Sequence, residues 1–168
     1  RIKLIMTKEI QDEIDDLLSS VKSVQLATLN DEQEAEISYT PYFKKSDVFY
    51  IFISELASHT QNLKTNPTLS LMFIEDESNS KTVFARKRLI LECKSLLISR
   101  DDPQWKAILD NFEIHQGPTI KLLKTLPDFC LFRLTAKKGS FIKGFGQAFN
   151  LSGHKLTNIM QVKPNTPI

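Results

Sequence analysis

The densest positive charge in the chain, Arg86-Lys87-Arg88, stands directly before a long apolar stretch that ends near Ile98. If that stretch is a strand, alternation puts Arg86 and Arg88 on one face and Lys87 on the other. Two guanidinium groups on one face can grip an anion such as a phosphate or a propionate with paired hydrogen bonds. The same residues equally suit a solvated strand end balanced by Glu75, Asp76 and Glu77. Asp128 is the second candidate, lying between Pro127 and the apolar run Phe129 to Leu134. A carboxylate entering so apolar a strand is hydrogen-bonded, exposed at the strand mouth, or used to orient another ligand. A cap or turn is its commoner use. The third candidate is Phe141 to Asn150, where Gly144 and Gly146 flank Phe145. Glycines in an aromatic strand mark a bulge, or a close approach of backbone to a flat ligand or a second subunit.

The histidines add little. His59 falls on a short helix, His115 in a loop ending a helix, and His154 in a turn after Gly153. Each reads first as a surface histidine. No spacing resembles a zinc site, and no Ser/His/Asp or Cys/His arrangement can be drawn. Phosphate-loop and dinucleotide fingerprints are missing as well. A net charge of +2 offers no strong field for nucleic acid or a membrane surface, so neither is an expected partner. No apolar run is long enough to cross a bilayer, and no signal-peptide pattern is visible. Cys93 and Cys130 sit in apolar runs and read as buried thiols, which suits a reducing cytoplasm.

The elements that must position these residues fit in one domain of 168 residues. Thr7 suits an N-cap, and Ile10, Ile14, Leu17, Leu18 and Val21 recur at helical spacing, predicting a helix over 7–21. From residue 23 to 162 the pattern is mainly β. Ser23 to Leu29 and Ala35 to Thr40 form a hairpin around Asn30 to Glu34, and Val48 to Ile53 is a further strand. A short helix over Leu56 to Leu63 precedes strands at Leu69–Ile74 and Arg88–Ile98. Helices follow around Trp105 to Phe112 and over Thr119 to Leu126. Strands at Phe129–Leu134 and Ser140–Lys143, turning at Lys138-Gly139, are extended by Phe145–Asn150, and Lys155 to Val162 is the last. Antiparallel strands with a few rim helices indicate an α+β protein, mainly β, built on a barrel.

Several segments together resemble the HugZ/HutZ-type haem-utilisation proteins of the FMN-binding split-barrel superfamily, whose namesake is pyridoxamine 5'-phosphate oxidase. They include Leu26-Ala-Thr-Leu29, Ile53-Ser-Glu-Leu-Ala-Ser-His59, Met72-Phe-Ile-Glu-Asp-Glu-Ser78, Ala85-Arg-Lys-Arg-Leu89, Asp128-Phe129 and Phe141-Ile-Lys-Gly-Phe-Gly-Gln-Ala-Phe149. The resemblance implies a split β-barrel homodimer with haem at the subunit interface, opening haem with dioxygen and a reductant to release iron. It gives Arg88 the place of the family's distal arginine, near the iron. It gives Asp128 the place of the carboxylate that hydrogen-bonds the proximal histidine of the neighbouring subunit. Arg86, Lys87, Phe145 and Gly146 would also line the cofactor cleft. The family's axial histidine lies in a C-terminal tail, and here its place falls at Thr166. Either the chain continues past Ile168 with that histidine, which is the expectation, or the proximal ligand is lacking; His154 is a poor substitute. FMN is the alternative ligand, although Glu55 brings the wrong charge to the segment that holds the flavin phosphate in flavoprotein members. A non-catalytic haem carrier is the third reading.

Overall fold

The computed structural model describes residues 2–163, with side chains from Met6 onward. Helix α1 (Ile2–Ser20) buries Ile10, Ile14, Leu17 and Leu18 against the barrel. It starts five residues before the expected cap, so Thr7 lies inside it; the preceding Leu, Ile and Met continue a helix without a breaker. The hairpin β1 (Ser23–Leu29) and β2 (Ala35–Pro41) turns on Asn30, whose Oδ1 accepts the N–H groups of Glu32 and Glu34 at 3.0 and 2.9 Å. Pro41 ends β2, an edge strand, where a missing N–H breaks no ladder. A short strand that the pattern did not signal, β3 (Phe43–Lys45), pairs with β4 (Val48–Ser54). After α2 (Ser58–Thr65) come β5 (Thr68–Ile74), two 3₁₀ turns, and β6 (Arg88–Ile98). Helices α3 (Trp105–Gln116) and α4 (Thr119–Leu123) lead to β7 (Phe129–Gly144), β8 (Gln147–Ser152) and β9 (Asn158–Gln161).

All pairings are antiparallel, in the order β2-β1-β5-β6-β7-β4-β3, with β8 added to β7 and β9 to β8. One core fills the barrel with Leu26, Phe73, Leu91 and Phe141 beneath α1. A second lies between the outer side of β4 and β7 and helices α3 and α4, around Tyr50, Phe52, Leu109, Phe112 and Leu131. β4 serves both, which is why its sequence is an unbroken apolar run rather than an alternating one. Tyr42 ties the end of α1 to the sheet: its hydroxyl donates to the carbonyls of Leu18 and Val21 at 2.6 and 3.1 Å, satisfying groups the helix leaves unpaired. Burial pushes that phenol up to about 12.

The second half differs from the sequence expectation in three places. β7 is one strand of 16 residues, not two strands joined by a turn at Lys138-Gly139. Cys93 faces Ala136 and Glu92 faces Lys138, so Lys137 is an extra residue, a β-bulge. Gly139 answers a close approach: a Cβ there would lie 2.5 Å from Ile90 O and 2.6 Å from Leu91 Cδ2. The true turn is Phe145-Gly146, whose second position needs the positive φ of +67° that Gly146 supplies. Lastly, Gly153, Lys155 and Leu156 all take positive φ, making a tight turn that delays β9 until Asn158.

Candidate functional site

Leu89, Leu91 and Cys93 of β6 point into the barrel, so Arg88 and Ile90 face outward. Ladder partners place Ile74 and Ile142 beside Arg88, Met72 and Ser140 beside Ile90, and Ala148 beside Ile142. All are half-buried. They form a flat apolar surface on the outside of the sheet, and Tyr39 and Ile37 continue it towards the β2 edge at 71% and 78% exposure. Apolar surface this continuous marks a binding or docking face.

Of the three cations leading into β6, two are engaged. Arg86 Nε donates to Glu75 O at 2.7 Å and its guanidinium pairs with Glu77 at 3.5 Å. Lys87 Nζ lies 3.5 Å from Glu13 of α1, whose other oxygen holds Lys143 at 2.5 Å. Arg88 makes no ion pair among the described residues; its Nη1 donates to Arg86 O at 2.9 Å. Arg86 precedes the strand, at the end of the 3₁₀ turn Val83–Ala85. The expected sharing of one strand face by Arg86 and Arg88 therefore does not occur. The balance of Arg86 by the acidic segment does.

Asp128 sits at the mouth of β7, half-buried, beside the end of β4. Ser54 Oγ donates to its Oδ2 at 2.7 Å, and the Glu55 N–H donates to its carbonyl at 2.8 Å. Among the described residues its Oδ1 takes no hydrogen bond. Glu55 pairs with Lys64, which holds that carboxyl below its ordinary range. Ser54 and Glu13 escaped the sequence reading because their partners lie 74 and 130 residues away, and nothing local marks them.

Arg88 and Asp128 are not brought together within one chain. Arg88 is opposite Ile142, near one end of β7, and Asp128 precedes the other. Phe145, 85% exposed, and Gly146 form the hairpin tip beyond Ala148, two residues along β7 and its turn from the Arg88 row. His59 on α2 places Nδ1 2.9 Å from Ser38 Oγ, and burial depresses its basicity. His115 packs its ring against Phe43. His154, exposed, borders a cleft of about 650 Å³ between α1, the β3–β4 turn and the 153–157 turn, far along the chain from the Arg88 surface. The tail position Thr166 lies outside the described residues. Among those residues, no group of three or more His, Cys, Asp or Glu could hold a metal ion. None of their helices is long and apolar enough to cross a membrane.

Residues 10–143 match the family described as pyridoxamine 5'-phosphate oxidase. The chain belongs to that family. Within the pyridoxamine 5'-phosphate oxidase family it falls in the HugZ/HutZ-type branch. It is 36% identical over 154 residues to the haem oxygenase HutZ of Vibrio cholerae, covering 92% of this chain and 88% of that protein. The crystal structure of Campylobacter jejuni ChuZ superposes with a TM-score of 0.85 at 34% identity, over 99% of this chain and 72% of ChuZ. A structure of Vibrio cholerae HutZ, described there as a haem storage protein, gives 0.75 at 37% identity over 80% of this chain and 95% of that one. The split barrel of the pyridoxamine 5'-phosphate oxidase family is thus the fold of this chain.

Proposed function

We propose that two copies of this chain pack their outer sheet faces together and bind haem in the clefts between them. The complex then opens the macrocycle oxidatively with dioxygen and an external reductant, releasing iron. The observation that carries this reading is Arg88, an unpaired guanidinium on a flat apolar surface. Such a surface suits a macrocycle face, and such a cation suits a hydrogen bond to a ligand on its iron. Bound haem supplies the iron at which dioxygen reacts. The chain supplies orientation, charge and exclusion of water. Asp128, held by Ser54 with one oxygen left over, accepts from the proximal imidazole of the neighbouring subunit and fixes its ring. Phe145 and Gly146 present the hairpin tip to the macrocycle or the partner. Arg86 and Lys87, tied to Glu77, Glu75 and Glu13, shape the surroundings of Arg88 rather than grip a flavin phosphate. The relatives named for haem support the same choice over FMN. Free thiols at Cys93 and Cys130 suit a cytoplasmic site of action.

The test is titration of the purified protein with haemin and, separately, FMN, followed by addition of ascorbate. A saturable Soret band, no flavin binding and ascorbate-driven loss of the Soret band are expected. Arg88→Ala should still bind haemin but degrade it slowly, whereas Asp128→Ala should alter the ferric spectrum and lose about 10–100-fold in affinity or activity. A protein that binds FMN and ignores haemin reverses the assignment. Stable haemin binding without degradation leaves a carrier.

A further inference from the structure

The peptide unit joining Arg86 to Lys87 is engaged at both polar ends. Its N–H donates to Glu75 Oε1 at 2.6 Å, and its carbonyl accepts from Arg88 Nη1 at 2.9 Å. The Glu75 backbone holds the flanks: its N–H donates to Lys87 O at 3.0 Å, and its carbonyl accepts from Arg86 Nε at 2.7 Å. The Glu75 carboxylate, half-buried, makes no ion pair among the described residues, since Glu77 meets Arg86 and Glu13 meets Lys87. It is therefore spent on this one amide. A carboxylate on a peptide N–H makes a short, charge-assisted hydrogen bond. It also polarises the amide, so that the carbonyl on the far side becomes a stronger acceptor. Here that acceptor is the only hydrogen-bond partner of the Arg88 guanidinium among the described residues.

We infer that Glu75 is a positioning residue for Arg88, acting through the Arg86–Lys87 peptide. The carboxylate fixes the plane of that amide, and the amide carbonyl fixes one edge of the guanidinium, leaving the other edge directed over the apolar surface. This inference rests on the reading of Arg88 as the cation above the haem iron. It predicts that Glu75 matters to a ligand on the iron only through Arg88.

The experiment uses fluoride, an anion that binds ferric haem and accepts a hydrogen bond from a cation above the iron. Fluoride affinity is measured on the haemin complexes of wild type, Glu75→Ala, Glu75→Gln, Arg88→Ala and the double variants. Lys87 amide hydrogen exchange is followed in the haem-free proteins. Arg88→Ala should weaken fluoride binding about tenfold or more, as loss of a charged hydrogen bond requires. Glu75→Ala should weaken it about three- to tenfold and speed Lys87 exchange, and adding it to Arg88→Ala should cause no further loss. Glu75→Gln keeps an acceptor oxygen, so its loss should be only about two- to threefold, again vanishing beside Arg88→Ala. If Glu75→Ala does not fold, the Gln pair carries the same comparison. Losses that add in the double variants, or Glu75 variants with wild-type fluoride affinity beside a weakened Arg88→Ala, overturn the inference and leave the Arg88 reading standing. An Arg88→Ala protein with wild-type fluoride affinity removes the Arg88 reading itself.

Discussion

If one haem site needs both Arg88 and Asp128, the two must come from different subunits. Ile142, the ladder partner of Arg88, lies thirteen residues along β7 from Phe129, the neighbour of Asp128. At about 3.4 Å per residue that is roughly 44 Å of strand, and the coiling of a barrel shortens it without bringing the ends together. In a two-fold dimer each cleft then draws its arginine from one chain and its aspartate from the other. Mixed dimers of an Arg88→Ala chain and an Asp128→Ala chain separate the two cases. With shared sites, one cleft carries both lesions and the other carries neither, so a mixed dimer should show about half the wild-type rate. With sites built from one subunit, each cleft carries one lesion and the mixed dimer matches the mean of its parents. Differently tagged chains, co-expressed and purified through both tags, give the sample; ascorbate-driven decay of the Soret band gives the rate. A mixed dimer no faster than that mean would refute the shared site.

Gly139→Ala places a methyl group against backbone that cannot move aside, and such overpacking costs about 1–3 kcal/mol. At about 2–4 °C per kcal/mol for a chain of this size, melting should fall by several degrees, and an unchanged Tm would refute the close approach. Gly146→Ala meets no neighbour within 4 Å and should suffer only the strain of its positive φ. His59 titrates below its ordinary value because burial disfavours its charged form. Above about pH 6.5 it is neutral both folded and unfolded, and it adds no pH dependence. As pH falls from there towards the folded pKa, the unfolded chain takes up the proton first and stability drops. Melting curves from pH 7.5 to 5 should therefore fall more steeply for wild type than for His59→Gln, and parallel curves would count against this.

Most elements were legible because their patterns are local. The β1–β2 hairpin, β5, and the 88–98 limits of β6 follow from alternation and turn residues. Glycine was where reading failed. Gly139 and Gly146 look alike in sequence, yet one answers a neighbouring strand and the other a positive φ, and only the fold tells them apart. The bulge at Lys137 hid the continuity of β7 by breaking its alternation, which then read as a turn. Around the site, Arg88 and Asp128 were visible as charges at the mouths of apolar strands. Their settings were not: which cation stays free depends on Glu13, distant in sequence, and Asp128 is held by a serine from another strand.

The extra residue in β7 also acts as a change of phase. Before it, even-numbered side chains, Phe132, Leu134 and Ala136, enter the barrel core; after it, the odd-numbered Phe141 does, and Ile142 joins the outer surface beside Arg88. Removing Lys137 alone would restore an unbroken ladder and carry every later residue to the wrong side, with Phe141 facing out and Ile142 facing in. Loss or gain of residues by twos keeps the faces; a single one exchanges them. The segment from Ala136 to Gly139 can thus vary in length only by even steps if the Arg88 surface is to persist. Parity, more than residue identity, is what this stretch of the chain has to keep.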